Sequence, residues 1–212
     1  MKGIENIEQY IQQYSSEEHP YLNKLYRATQ TKLLYPRMAS GHLQGIFLRM
    51  LVQMLQPRLV LEIGTYSGYS TLALASGMSS DTKIISYEVN DEQEDFTRPW
   101  LEQTPFKAEI DFRIANILED KSWMNGTYDL IFMDGNKREY IQYYETVLPH
   151  LRSGGILLAD NTLWDGHVIE KNKGNNLQTQ GIIDFNSHVK QDERVEKLIL
   201  PLRDGISIIR KK

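Results

Sequence analysis

"VLEIGTYSGYS", residues 60–70, passes from an apolar run through two glycines into a stretch of small and apolar residues. A strand that ends in a glycine turn and feeds a helix brings backbone close to a ligand. The first turn of such a helix also offers unpaired N–H groups. A dinucleotide fingerprint would need G-x-G-x-x-G, but Tyr66 stands at its middle glycine. The spacing is instead E-x-G-x-x-x-G, built from Glu62, Gly64 and Gly68.

Outward from that turn the pattern repeats. RLVLEI, KIISYE, AEIDFRI, DLIFMD and GILLAD are short apolar runs about a helix apart, with helical segments expected over 68–78, 91–103 and 138–151. Strands that are apolar on both faces and alternate with helices imply a parallel sheet covered on both sides. The tail, VEKLILPLRDGISIIRK, reads as two strands joined at Arg203-Asp204-Gly205, so the last strand runs antiparallel at or near a sheet edge. Upstream, residues 4–56 read as helical: Ile4, Ile7, Tyr10, Ile11 and Tyr14 recur at 3–4 spacing. A later set, Leu43, Ile46, Phe47, Met50, Leu51 and Met54, does the same, with Ser40 as its N-cap and Pro57 beyond its end. The expected fold is α/β and Rossmann-like: a doubly wound, mostly parallel seven-stranded sheet with a C-terminal antiparallel hairpin and extra N-terminal helices.

Length and composition agree. At 212 residues the chain suits one substantial domain, and no repeat or linker divides it. Residues 1–57 are expected to form a helical cap and dimerisation segment, and 58–212 the core. A net charge of −4 and a pI near 5.8 give no overall pull toward nucleic acid or anionic membrane. The absence of cysteine excludes disulfides, thiolate metal sites and cysteine nucleophiles. No signal-peptide core stands at the N-terminus, and no run approaches the roughly 20 apolar residues of a membrane span. A cytoplasmic location is the expectation.

The strand ends carry the chemistry. Glu62 sits one residue from the end of an apolar strand, poorly placed for a purely structural role. It is suited to an ammonium, which S-adenosylmethionine (SAM) carries and NAD lacks. Glu88, closing the next strand, is suited to ribose hydroxyls. Asp134 ends the fourth strand, and Asp160 and Asn161 end the fifth. Ligands of open α/β sheets bind beyond such carboxyl ends. Read singly, Asp160 or Asn161 is more often a cap than a ligand. Together the three offer only hard oxygen ligands, which suit Mg²⁺, Ca²⁺ or Mn²⁺. Lys137, three residues after Asp134, would be favoured in its neutral form beside a cation and could take a proton from a metal-activated hydroxyl.

From about Met38 onward the sequence resembles the cation-dependent class I O-methyltransferases of the caffeoyl-CoA and catechol type, particularly small bacterial members. The resemblance rests on "RMAS", "VLEIGTYSGYSTLALA", "YDLIFMDGNKREYIQYYE", "LPHLRSGGILLADNTLWDG" and "LPLRDGISIIRKK", and above all on D-x-x-K-x-x-Y combined with DN-x-L-W-x-G. It implies that Asp134, Asp160 and Asn161 are divalent-metal ligands and Lys137 the catalytic base. It places Glu62, Gly64, Thr65, Ser70 and Glu88 on the cofactor, with Met38, Ser40, Ala115 to Ile117, Asp134, Asn136 and Tyr143 lining it. Asp165 falls where the family often has a substrate-contacting Asn or Ser. One departure stands out: most members read D-A-D-K where this chain reads D-G-N-K, so Asn136 replaces an aspartate near cofactor and metal. The implied reaction is methyl transfer from SAM to one hydroxyl of a vicinal aromatic diol, free or as an acyl-CoA ester, by a homodimer.

Two other readings stand beside it: a methyltransferase of the same fold acting on tRNA 5-hydroxyuridine, and a SAM-binding protein without catalysis. The acidic pI and the lack of a Lys/Arg-dense stripe count against nucleic acid, Lys171 and Lys173 being thin support. Only Asn136 encourages the non-catalytic reading. The five histidines lack metal spacing, and His167 alone is near enough to reach the site. Residues 166–180 are polar and are expected to form a mobile cover over the substrate.

Overall fold

From residue 59 onward strands are interleaved with helices in the computed structural model, which describes residues 7–170 and 176–212. Three helices come first: α1 (Ile7–Tyr14), α2 (Pro20–Lys32) and α3 (His42–Leu55). The core then runs β1 (Leu59–Ile63), α4 (Tyr69–Ala75), β2 (Lys83–Glu88), α5 (Glu94–Glu102), β3 (Glu109–Ile114), β4 (Tyr128–Met133), α6 (Tyr140–Val147) and β5 (Leu151–Asp160). It closes with α7 (Leu177–Gln191), β6 (Val195–Leu200) and β7 (Ile206–Lys211). The sheet order is β3-β2-β1-β4-β5-β7-β6. The first five strands are parallel, and β7 lies antiparallel between β5 and the edge strand β6.

The continuous apolar strands follow from burial on both faces. Successive side chains alternate across the sheet, so Leu130 and Phe132 of β4 join Leu48, Leu72 and Leu101 on one side. Ile131 and Met133 join Tyr140, Tyr144 and Phe185 on the other. Helices α2 to α5 cover the first face, and α6 and α7 the second. After β3 the chain crosses to the far side of β1 and lays down β4. The carboxyl ends of β1 and β4 therefore flank the point where the winding reverses, the place where ligands enter sheets of this kind.

Several local expectations are corrected. The N-terminal segment is broken into helices, with a 3₁₀ turn at Pro36–Met38; Ile4 lies outside the described residues. Ser40 does not cap α3. Gly41 does, at φ 78°, a left-handed backbone that serine reaches only with strain, and Ser40 is buried just before it. Strand β5 begins at Leu151, earlier than GILLAD, because a register shift after Tyr128 lets the chain pair twice with β4. Of the polar stretch 166–180, residues 171–175 lie outside the described ones, and from Leu177 the chain is helix α7. Asn176 caps that helix by accepting from Gln178 N and Thr179 N. Among the described residues no helix is long and apolar enough to cross a membrane.

Candidate active site

At the end of β1 the chain must turn without a side chain. Gly64 has φ 96°, and a Cβ there would collide with the Asp134 carbonyl at the end of β4. The two strand ends are also joined by Asp134 N donating to Ile63 O (2.8 Å). Gly64 N and Thr65 N both donate to Tyr87 O of β2. Tyr66 N donates to Glu88 Oε2 (2.7 Å), and Val89 N and Asn90 N donate to its Oε1 (2.9 Å each). Glu88 is thereby fixed by three backbone donors in the wall of a cavity of about 620 Å³.

That cavity brings together most of the residues singled out from the sequence: Met38, Gly64, Glu88, Ala115, Ile117, Asp134, Asn136, Lys137, Tyr143, Asp160 and Asn161 all line it. Ser40, Thr65 and Ser70 line a small adjoining recess that shares Met38, Gly64 and Asp134 with it. Glu62 lies behind the turn, outside the cavity wall. It is fully buried, and accepts from Ser86 Oγ (2.5 Å) and from Thr71 Oγ1. Burial pushes its carboxyl up to about 7, opposed by those hydroxyls and Ser70 and reinforced by the charge of Asp134. Its Oε1 has no hydrogen-bond partner. A buried, half-orphaned carboxylate behind the glycine turn fits the amine of SAM.

Asp165 does not join them. It sits in a kink at φ 50°, exposed, and its neighbour Trp164 lines the cavity instead. His167 likewise points to Glu170 (2.9 Å) on the surface and does not line the cavity.

On the β4–β5 side, Asp160 Oδ1 accepts from Asn161 N (2.8 Å) and Oδ2 from Gln44 Nε2 (2.5 Å). Burial raises the Asp160 carboxyl to about 6, with the nearby Asp134 charge adding to the rise. Asn161 Nδ2 faces Asp204 Oδ2 at 3.4 Å, which leaves its carbonyl oxygen free. Among the described residues no three His, Cys, Asp or Glu side chains gather as a cation site. The donor set is two mutually repelling carboxylates and an amide oxygen, which fits a hard divalent cation.

Lys137 stands in a 3₁₀ turn directly after the strand end. Its Nζ donates to Asp134 Oδ1 and to Tyr140 Oη, both at 2.6 Å. Tyr140 is itself buried and donates onward to the carbonyls of Asp160 (3.0 Å) and Met133 (3.2 Å), so its oxygen can only accept from the amine. Asn136 caps this turn, its Oδ1 accepting from Arg138 N (3.3 Å) and from Gln178 Nε2 of α7 (3.2 Å).

Sequence reasoning did not foresee Gln44, Arg203, Asp204 or Gln178. Arg203, in the β6–β7 turn, donates to Gln44 Oε1 (3.3 Å) and to the Ser40 carbonyl, so it ties the start of α3 to the amide that holds Asp160. These contacts span more than a hundred residues of chain, and no local spacing announces them.

A glycine turn after β1, an acid closing β2 and polar ends on β4 and β5 define the class: this is the doubly wound fold of the class I SAM-dependent methyltransferases. Within that class the chain belongs to the O-methyltransferase family, whose model matches residues 12–212. It is 32% identical over 220 residues to caffeoyl-CoA O-methyltransferase 1 of Arabidopsis thaliana, covering 98% of this chain and 85% of that protein. It is likewise 32% identical to caffeoyl-CoA O-methyltransferase 5 of Nicotiana tabacum, covering 91% and 85%. Among solved structures, the O-methyltransferase from Bacillus cereus in complex with SAH superposes with a TM-score of 0.87 at 28% identity, covering 97% of both chains. The SAH-bound methyltransferase PaMTH1 of Podospora anserina gives 0.85 at 26%, covering 97% and 94%. The protein is an O-methyltransferase of the caffeoyl-CoA type.

Proposed function

We propose that this enzyme transfers the methyl group of SAM to one hydroxyl of a catechol-like vicinal aromatic diol, as a small molecule or an acyl-CoA ester, with a divalent cation at Asp134, Asp160 and Asn161. The observation that carries the reading is the seat of Lys137 between Asp134 and Tyr140, at the strand end that also bears the hard-oxygen donors.

A bound divalent cation would supply Lewis acidity toward both oxygens of the diol, and SAM the methyl carbon, which passes from sulfur to the acceptor oxygen. The chain's own groups do the rest. Glu88 receives the ribose hydroxyls, its carboxylate already fixed by three backbone donors. Ser40, Thr65, Ser70 and Glu62 hold the amino-acid end around the glycine turn. Lys137 acts as the base. A neutral amine has two N–H bonds and one lone pair; with the N–H groups given to Asp134 Oδ1 and Tyr140 Oη, the lone pair is left for the cavity that Lys137 lines. The acceptor hydroxyl passes its proton to Nζ as its oxygen attacks.

The partner of the folded chain is proposed to be a second copy of itself. Ile7, Tyr10, Ile11 and Tyr14 of α1 and Met50 and Met54 of α3 are exposed, an apolar display that a lone domain does not require. The test of the reaction is substitution of Lys137 by alanine with methyl transfer to caffeate followed directly. Turnover falls sharply while SAH binding survives if the assignment is right, and unchanged turnover removes Lys137 from the role of base.

A further inference from the structure

Gln44 is a polar side chain on the wrong side of its helix for water. It shares a face of α3 with Leu48 and Leu51, which pack into the core, and it is wholly buried. A buried amide must be satisfied at both ends, and its neighbours leave it one orientation. The Arg203 guanidinium has only donors, so Gln44 must present Oε1 to it (3.3 Å). Nε2 is thereby aimed at Asp160 Oδ2 (2.5 Å). The flipped amide would set oxygen against carboxylate and N–H against guanidinium.

Arg203 is itself held at a cost. Its φ of 51° is the left-handed region, where a side chain is strained, in the turn between β6 and β7. Its guanidinium also donates to the Ser40 carbonyl just before α3. The rest of the turn is clasped to the chain that leaves β5: Thr162 N donates to Gly205 O (3.0 Å) and Leu163 N to Asp204 O (2.8 Å). One turn therefore fixes both the loop after Asp160 and the amide that holds its carboxylate.

The consequence falls on Asp160. Asn161 N holds its Oδ1 (2.8 Å) and Gln44 its Oδ2, so the carboxylate is pinned at both oxygens, each with a lone pair to spare for a cation. The nearby charge of Asp134 repels it. Without Nε2, Asp160 would be free to turn away from Asp134, and a buried oxygen would lose its donor.

We propose that Gln44, locked by Arg203, is a positioning residue for the divalent cation, holding Asp160 toward Asp134 and Asn161 before the cation arrives. The inference rests on the reading of those three residues as the seat of the cation. It adds to that seat a residue from α3 and one from the β6–β7 turn, which hold a ligand and do not themselves ligate.

The experiment is calorimetric titration of Mn²⁺, and separately of SAH without metal, into the wild type, Gln44→Met, Gln44→Leu and Arg203→Met. Methionine keeps the length of the Gln44 side chain without its donor, and thermal melting checks that each variant folds. In both Gln44 variants Mn²⁺ affinity should fall by about 10–100-fold, while SAH affinity stays within about twofold. Arg203→Met, in an exposed turn, should weaken Mn²⁺ binding too, although it removes a positive charge from the cavity wall. Wild-type Mn²⁺ affinity in the Gln44 variants, or an equal loss for Mn²⁺ and SAH, overturns the inference. Tighter Mn²⁺ binding by Arg203→Met overturns the role of Arg203 as the lock, leaving its charge as its only effect there. A wild type that takes up no Mn²⁺ overturns the cation reading itself, and this inference with it.

Discussion

Lys137 is the residue whose surroundings say most about its work. It is 7% exposed and held by a carboxylate and a phenol, so its amine is oriented before any acceptor arrives. Lys137→Ala should lower kcat by about 10²–10⁴-fold, the usual worth of a positioned base, with SAH affinity unchanged. A loss of SAH affinity of the same size would instead mark a cofactor-binding role. Glu62 makes a prediction of opposite kind, about stability. Its folded pKa of about 7 lies above its ordinary 4.5, so between those values the folded protein keeps a proton that the unfolded chain has released. Stability from this group is therefore full below about pH 4.5 and is lost as pH rises through 7, a change on the order of 3 kcal/mol. Urea unfolding of Glu62→Gln should show a flatter pH dependence across that window; a slope equal to that of the wild type would contradict it. Asn136→Asp keeps an oxygen for Arg138 N, and Asn and Asp are near-equal caps, so it should leave stability within about 0.5 kcal/mol. The added charge should tighten divalent-cation binding, and unchanged affinity would show the departure at this position to be neutral there.

At the scale of elements, α3 is more than a cover. Gln44 is wholly buried and bridges Arg203 of the hairpin turn to Asp160 of β5. Gln44→Leu would leave Asp160 Oδ2 and the guanidinium without that partner, and should cost about 1–3 kcal/mol in urea unfolding. No change would mean that the bridge is dispensable. The strands and their polar ends were legible because burial on both faces leaves unbroken apolar runs, and a carboxylate closing such a run has few structural reasons to be there. Helix α7 was not legible. Its first turn is polar, and only Ile182, Phe185 and Val189 further on show the 3–4 spacing of a buried face. The same blind spot hid Gln178. Ser40 misled because it is a good capping residue, whereas the observed turn needs the left-handed backbone of Gly41. Asp165 carries a plausible letter at a plausible position, but the kink at φ 50° leaves it outside the cavity lining and puts Trp164 there instead.

For the whole molecule, the reversal of winding between β1 and β4 explains why residues as distant as Met38, Glu88 and Asn161 share one cavity. A dimer through the N-terminal helices would cover the apolar surface of α1; light scattering at micromolar concentration should then give twice the chain mass of 24.7 kDa. A monomeric mass would contradict that arrangement. The central claim is that the two aspartates and Asn161 hold a divalent cation on which methyl transfer depends. The measurement that meets it most directly is transfer from SAM to a catechol in excess EDTA, and again after Mg²⁺, Mn²⁺ or Ca²⁺ is restored. The account predicts that the chelator abolishes activity and that an added cation brings it back; full activity in the chelator would contradict it.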